Sequence, residues 1–395
     1  MHQFALLKLG LTLFGKRFAL ASLLLVPVIG LIGVALALAI GAPLPWLFGS
    51  VVAVGTASIL RLGGRVAPMQ FPMQPRDVFV PVIGVAIGGS FTPALVGEVW
   101  VWAPSLLALL IYIPVIHLAG FWLCRRIGRV DPVTAWFSTM PGGFIEAIVM
   151  GEARGANVAL LTAVQFLRLV LCILLVPLGF SIIEGEAVGS ASGVELPGAD
   201  IPLTFWEGAV LTACGALGYF LAKWIKMPAG IIAGPLLLSG AAHLVGLVEG
   251  QPPDWLIRLT QFVIGLTLGV RFAGIDRAAL LRALEVALVI VLGTLGLAAL
   301  AGWLLGDLVE ESTAAVVLAF APGGLVEMSL VALSLGLSTI YVTAHHVLRI
   351  LLAVAFGRLA FGWALGHGAS QSRDMAGATL PRDGAKGERR KQPDP

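Results

Sequence analysis

Two glutamates and two arginines, Glu146, Arg168, Glu327 and Arg349, lie inside long apolar stretches, and they lie there as a repeated set. Glu146 stands three residues beyond Pro141-Gly142-Gly143, and Glu327 stands three residues beyond Pro322-Gly323-Gly324. The same spacing of 181 residues joins Arg168 to Arg349, Gly155 to Gly336, Thr162 to Thr343 and Leu171 to Leu352. Charged side chains in an apolar medium are costly, so their recurrence demands a reason. A Pro-Gly-Gly break leaves the next helix starting with unpaired backbone N–H groups and a positive dipole end. That end suits an anionic or carbonyl-bearing ligand.

Gln165 and Arg168 are three apart and share a helix face, as do His346 and Arg349. Two readings stand side by side. In one, Glu146 pairs with Arg168 and Glu327 with Arg349, neutralising charge and holding the breaks in place. In the other, at least one carboxylate carries a proton or faces a ligand. His345 and His346 are adjacent, about 100° apart on a helix, so they cannot chelate one metal together. His117 and His243 are lone, and Cys124, Cys172 and Cys214 are scattered without metal spacing. Neither a phosphate loop, a nucleophile elbow nor a Cys/His cluster is present. No metal, no cofactor and no conventional enzyme site are expected.

The elements around these residues must be membrane helices. Of the 395 residues 58% are hydrophobic and 12% charged, and mean hydropathy is +0.97. A soluble domain carries about 25% charged residues, so this chain reads as an all-α polytopic membrane protein. Residues 1–17 form a short segment before a first span, Phe18 to Ile40, too long for the apolar part of a cleaved signal. Apolar segments follow at 44–60, 77–97, 100–123, 132–151 and 156–180, and again at 207–224, 228–248, 255–273, 279–305, 312–333 and 338–366. The repeats are thus 18–180 and 207–366, joined by an acidic linker, 181–206, and followed by a disordered tail, 367–395. The Gly84/Gly88 and Gly265/Gly269 pairs are expected to let helices approach closely.

Loop charges give the orientation, since Lys and Arg mark cytoplasmic loops. Lys16 and Arg17, then Arg61, Arg65 and Arg76, then Arg125, Arg126 and Arg129, are placed inside. Glu184, Glu186, Glu195 and Asp200 are placed outside, which leaves an odd number of crossings between them and Arg129. Two apolar segments lie there, so one of them fails to cross. The second half repeats this with the sides exchanged, from Lys223 and Lys226 inside to Asp307, Glu310 and Glu311 outside and the basic tail inside; Arg258 is the exception. Pro132 to Met140 and Phe144 to Glu152 are nine residues each, about 14 Å of helix, half of a ~30 Å hydrocarbon core. The sequence therefore predicts two inverted repeats, each of about five transmembrane helices plus one re-entrant or broken helix at Pro-Gly-Gly. Both termini are expected in the cytoplasm.

At Pro141-Gly142-Gly143-x-x-Glu146 with Arg168, and Pro322-Gly323-Gly324-x-x-Glu327 with His345-His346 and Arg349, the chain resembles the bacterial AbrB-type membrane proteins. The resemblance covers roughly residues 25–365. It implies a duplicated membrane domain of the bacterial inner membrane and an association with regulation of gene expression; members carry labels naming a transcriptional regulator or an ammonia monooxygenase. Neither label matches the residues, which show no oxygen-activating site and no DNA-reading module. The expected function is secondary transport of a small, anion-like solute, coupled to a proton or cation, at a midplane site between the two breaks. That site comprises Pro141, Gly142, Gly143, Glu146, Gln165, Arg168, Pro322, Gly323, Gly324, Glu327, His346 and Arg349. The alternative is a membrane-embedded solute sensor acting on gene expression indirectly. Other expected partners are lipid and further copies of the chain, with no direct nucleic acid contact.

Overall fold

A computed structural model describes residues 10–13, 16–42, 44–62, 69–89, 91, 100–184, 202–225, 227, 230–274 and 277–365. Most of the expected linker (185–201) and the expected tail lie outside the described residues. The chain enters through a two-stranded antiparallel hairpin, β1 (Gly10–Leu13) and β2 (Lys16–Ala19), which pairs Gly10 with Ala19 and Leu13 with Lys16. The hairpin corrects a purely helical expectation.

Everything else regular is helix. The first half contains α1 (Leu20–Ala39), α2 (Pro45–Ile59), α3 (Gln74–Gly88), α4 (Ala103–Arg126), α5 (Pro132–Ser138), α6 (Phe144–Glu152) and α7 (Val158–Glu184). The second contains α8 (Phe205–Trp224), α9 (Gly230–Leu244), α10 (Asp254–Gly269, prolonged by a 3-10 turn, Val270–Phe272), α11 (Arg277–Leu305), α12 (Thr313–Phe320), α13 (Leu325–Ser334), α14 (Thr339–Leu359) and α15 (Phe361–Leu365). Seven helices are long and apolar enough to cross a membrane: α1, α4, α7, α8, α10 with its 3-10 turn, α11 and α14 with the turn beyond it. This is a multi-pass membrane protein. Three of the ten expected spans, α2, α3 and α9, are shorter, with 15 residues each. At about 1.5 Å per residue they reach about 22 Å.

Local chemistry explains the element ends. Proline opens α2, α3, α4 and α5, where its missing N–H costs nothing. Asp131 caps α5 by accepting from Thr134 N at 2.9 Å, and Ser312, 181 residues on, caps α12 by accepting from Ala315 N at 3.1 Å. A capping box between Thr204 and Glu207 starts α8 at Phe205, two residues ahead of the expected 207. Arg258, the exception in the charge pattern, pairs with Asp254 one turn earlier at 3.3 Å, both side chains roughly half exposed.

Helix contacts are made backbone to backbone at glycines. A side chain at Gly33 of α1 would strike Gly49 O of α2, and one at Gly218 of α8 would strike Gly234 of α9. The expected Gly84/Gly88 pair lies on Ile232 and Ser239 of α9, while Gly265/Gly269 lies on Ser50 and Val54 of α2. Each half thus lends its second helix to the third helix of the other half. The largest buried cluster runs through both halves, from Leu44 and Ile83 to Val342 and Ala353. Because Gly49 faces Gly33 O and Val34 N, main-chain atoms that cannot rotate away, Gly49→Val is expected to lower stability by at least ~1–3 kcal/mol. Thermal unfolding in detergent, with the monodisperse fraction on size exclusion, measures it. Unchanged behaviour would show that α1 and α2 are not held at this crossing.

Candidate functional site

Both Pro-Gly-Gly motifs break a helix where expected. α5 ends at Ser138 and α6 begins at Phe144; α12 ends at Phe320 and α13 begins at Leu325. Pro141, Gly142, Gly143, Pro322 and Gly323 are buried, and Gly324 is half-buried. Each break packs on the helix that follows the other one. A side chain at Gly142 would come within 3.2 Å of Ile350 Cα on α14, and one at Gly324 within 2.8 Å of Leu169 Cδ1 on α7. Leu169 and Ile350 are themselves 181 residues apart.

The arginines hold the breaks through main-chain oxygens rather than through the glutamates. Arg168 donates from a terminal nitrogen to Met140 O at 2.7 Å, and Arg349 donates to Ala321 O and Gly323 O. No ion pair joins either arginine to Glu146 or Glu327 among the described residues, so the pairing reading of these charges gives way to a capping one. The carbonyls at the C-terminal end of a helix carry partial negative charge and lack intrahelical donors, and a guanidinium satisfies both needs.

Gln165 and His346 complete the same task. Gln165 Nε2 donates to Phe137 O at 2.7 Å and to Met140 O at 3.2 Å. His346 donates from Nε2 to Leu318 O at 2.9 Å, and its Nδ1 accepts from Arg349 at 3.1 Å. The second break has a further donor: Tyr112 of α4 gives its hydroxyl to Phe320 O at 3.0 Å and faces Thr294 O at 3.2 Å. His345 turns away, its Nδ1 donating to Tyr341 O at 2.8 Å and its Nε2 lying 2.8 Å from Ser105 Oγ. The two histidines diverge as adjacent helix positions must.

Beyond each break, α6 and α13 begin without a side-chain cap, so their first N–H groups remain available donors. Arg168 and Arg349 are 7% and 2% exposed, and the Nε of each has no hydrogen-bond partner. Glu327 is 2% exposed with Oε1 unpartnered; the opposite charge acting on it is Arg76 of α3. Arg168, Arg349 and Glu327 all act electrostatically on the buried Cys172 of α7, so both breaks bring their charges to one region. Two buried cations against one buried carboxylate leave that region net positive.

Equal sequences do not give equal breaks. Gly143 has a left-handed backbone, φ 66° and ψ 60°, and Glu146 is exposed. Gly324 is extended, φ −77° and ψ 151°, and Glu327 is buried. Arg271, which the charge pattern marks only as a loop residue, lies 5.5 Å from the ring of Phe144, the first residue of α6. Its counterpart at the 181-residue spacing is Ser90; that local loss of symmetry is the signal by which the sequence could have shown it. Arg76 carried no such signal.

A family profile described as "Transition state regulatory protein AbrB" matches residues 46–365. The chain is similar to "Uncharacterized protein YhjN" of Bacillus subtilis (strain 168), 25% identical over 332 residues, which is 80% of this chain and 86% of the relative. It is similar also to "Putative regulator AbrB" of Escherichia coli (strain K12), 25% identical over 313 residues, 76% of this chain and 88% of the relative.

Proposed function

Because this chain belongs to the AbrB family, whose profile spans both halves, we propose that it is a secondary transporter of a small anionic solute. Its site lies between the two Pro-Gly-Gly breaks. The arrangement we infer is two inverted repeats in the bacterial inner membrane, both termini cytoplasmic, with the breaks as re-entrant hairpins near the midplane. Non-helical backbone at membrane depth is tolerated where it is buried or lines a watery cavity. Free N–H groups of α6 and α13, with two buried guanidiniums, favour an anion. A proton or cation coupled to the solute would answer to the carboxylates of Glu146 and Glu327.

The observation that carries transport is the inequality of the breaks. One motif, present twice in one chain, adopts an exposed form at Gly143–Glu146 and a closed form at Gly324–Glu327. Two forms of one device, on opposite sides of a shared site, are what alternating access requires: their exchange would open the site to one side and then the other. Transport needs no metal or cofactor, and we assign the protein no enzymatic activity and no direct contact with nucleic acid. The printed name of the Escherichia coli relative favours a second reading, a sensor that alters gene expression through solute occupancy.

Purified protein in liposomes, given a panel of radiolabelled small carboxylates and inorganic anions, is expected to accumulate at least one of them. Glu327→Gln is expected to lower that flux about tenfold or more, corresponding to ~1.4 kcal/mol in the barrier. Saturable binding by calorimetry without flux across the whole panel would discard transport in favour of the sensor.

A further inference from the structure

The seams made by α1 with α10 and by α8 with α3 correspond residue for residue, yet one is filled and the other is empty. In the first, a side chain at Gly30 would run into Leu266 and Phe262. At the matching positions of the second stand Gly215, Val85 and Pro81, and the nearest atom to a side chain at Gly215 is Val85 Cγ2 at 3.5 Å. Replacing a phenylalanine and a leucine by a proline and a valine leaves an apolar groove of about 590 Å³, within the ~300–1,000 Å³ range of ligand sites. Gly208 and Ala216 of α8 line its floor, and Leu203 and Pro252 bound one end. It opens sideways between Val78, 70% exposed, and Phe220, 63% exposed. α8 is a membrane-crossing helix with only 22% of its apolar window buried, so the medium against this mouth is lipid hydrocarbon.

The other end is charged with both signs. Asp77 lines it, as does Tyr219, over whose ring the Lys223 ammonium lies at 5.8 Å. We propose that this groove is a binding site for one acyl chain of a zwitterionic, amine-bearing phospholipid. The chain replaces the side-chain volume that Phe262 and Leu266 supply in the companion seam, while the phosphate meets Lys223 and the amine meets Asp77. The site is separate from the Pro-Gly-Gly region and stands whether or not the protein transports. Its consequence is mechanical: α8 is held to α3 through a lipid, whereas α1 is held to α10 by protein alone.

The test uses the full-length protein in vesicles containing phosphatidylethanolamine with a diazirine in its acyl chain, followed by irradiation and peptide mass spectrometry. Labelling is expected to concentrate on α3 and α8 at the groove, and to fall about tenfold or more, equivalent to ~1.4 kcal/mol in affinity, in Ala216→Phe, which fills the groove from its exposed side. Val85→Phe, filling it from within, should do the same and should also raise the melting temperature in lipid-free detergent. Asp77→Asn with Lys223→Gln should weaken labelling by phosphatidylethanolamine while leaving the fold intact. Labelling spread evenly over the apolar surface, labelling indifferent to both filling variants, or crosslinks joining two copies across α3 and α8 would each overturn the proposal.

Discussion

Arg349→Met is expected to destabilise the protein far more than Arg168→Met, although the two arginines are counterparts at the same spacing. Arg349 holds Ala321 O and Gly323 O and donates to His346 Nδ1. Methionine matches its length and apolar stem but donates nothing, so two buried carbonyls and an imidazole nitrogen lose their partner. Each unsatisfied buried polar group costs about 1–3 kcal/mol. Removing a buried charge returns part of its desolvation penalty, so a net loss of roughly 3–5 kcal/mol is the balance we expect. At the first break, Met140 O keeps Gln165 Nε2 when Arg168 is lost, and about 1–2 kcal/mol is expected there. Arg349→Lys should recover part of the loss, since a single ammonium cannot reproduce a forked donor. Thermal unfolding of the three variants in one detergent separates these outcomes. Equal losses for Arg349→Met and Arg168→Met, or a stabilised Arg349→Met, would show that the arginines are not the caps of the broken helices.

Gly143→Ala and Gly324→Ala are expected to push the protein in opposite directions. Gly143 is left-handed at φ 66°, and a side chain there would come within 2.6 Å of Val354 Cγ2. The left-handed conformation alone costs a non-glycine residue about 1–2 kcal/mol, so Gly143→Ala penalises the form in which Glu146 is exposed. Gly324 is extended at φ −77°, a region open to alanine; the group crowding a new methyl is the Glu327 carboxylate, the end of a flexible side chain. If the breaks exchange forms, Gly324 becomes left-handed in the other state, and alanine penalises that state instead. Gly324→Ala should therefore hold the present form and Gly143→Ala should deplete it, both lowering flux. A cysteine at Glu146, tested for maleimide labelling from either side of the vesicle, reads the population: labelling should fall with Gly143→Ala and stay high with Gly324→Ala. Identical labelling in both backgrounds would sink the exchange of forms, and the argument for transport with it.

The duplication, the helical class and the two breaks were legible because each rests on local chemistry. α6 occupies Phe144–Glu152 as read from the sequence, and α5 begins at the Pro132 that was expected to open it. The capping box at Thr204 and Glu207 was legible too, yet an apolar window places the helix start later because it weighs hydropathy over caps. Gln165, Arg168, His346 and Arg349 were singled out by sharing faces at a spacing of three, and the structure does bring them to the breaks. What they do there was not legible. A charge pattern pairs arginine with glutamate, whereas the closer acceptors were carbonyls, which every residue carries and no sequence distinguishes.

What the sequence by itself determined is the set of parts: apolar segments that must be helices in a membrane, broken twice at proline and paired glycines, with buried charge at each break. Periodicity, backbone restriction and the cost of charge in hydrocarbon act over a few residues, and a few residues suffice to read them. Only the tertiary structure decided that Glu327 is buried while Glu146 is exposed, that Gly143 is left-handed while Gly324 is extended, and that Phe262 and Leu266 fill a seam that Pro81 and Val85 leave open. Equal motifs take unequal forms because the neighbours against which they pack come from distant parts of the chain. The energy of each form belongs to that packing and not to the motif.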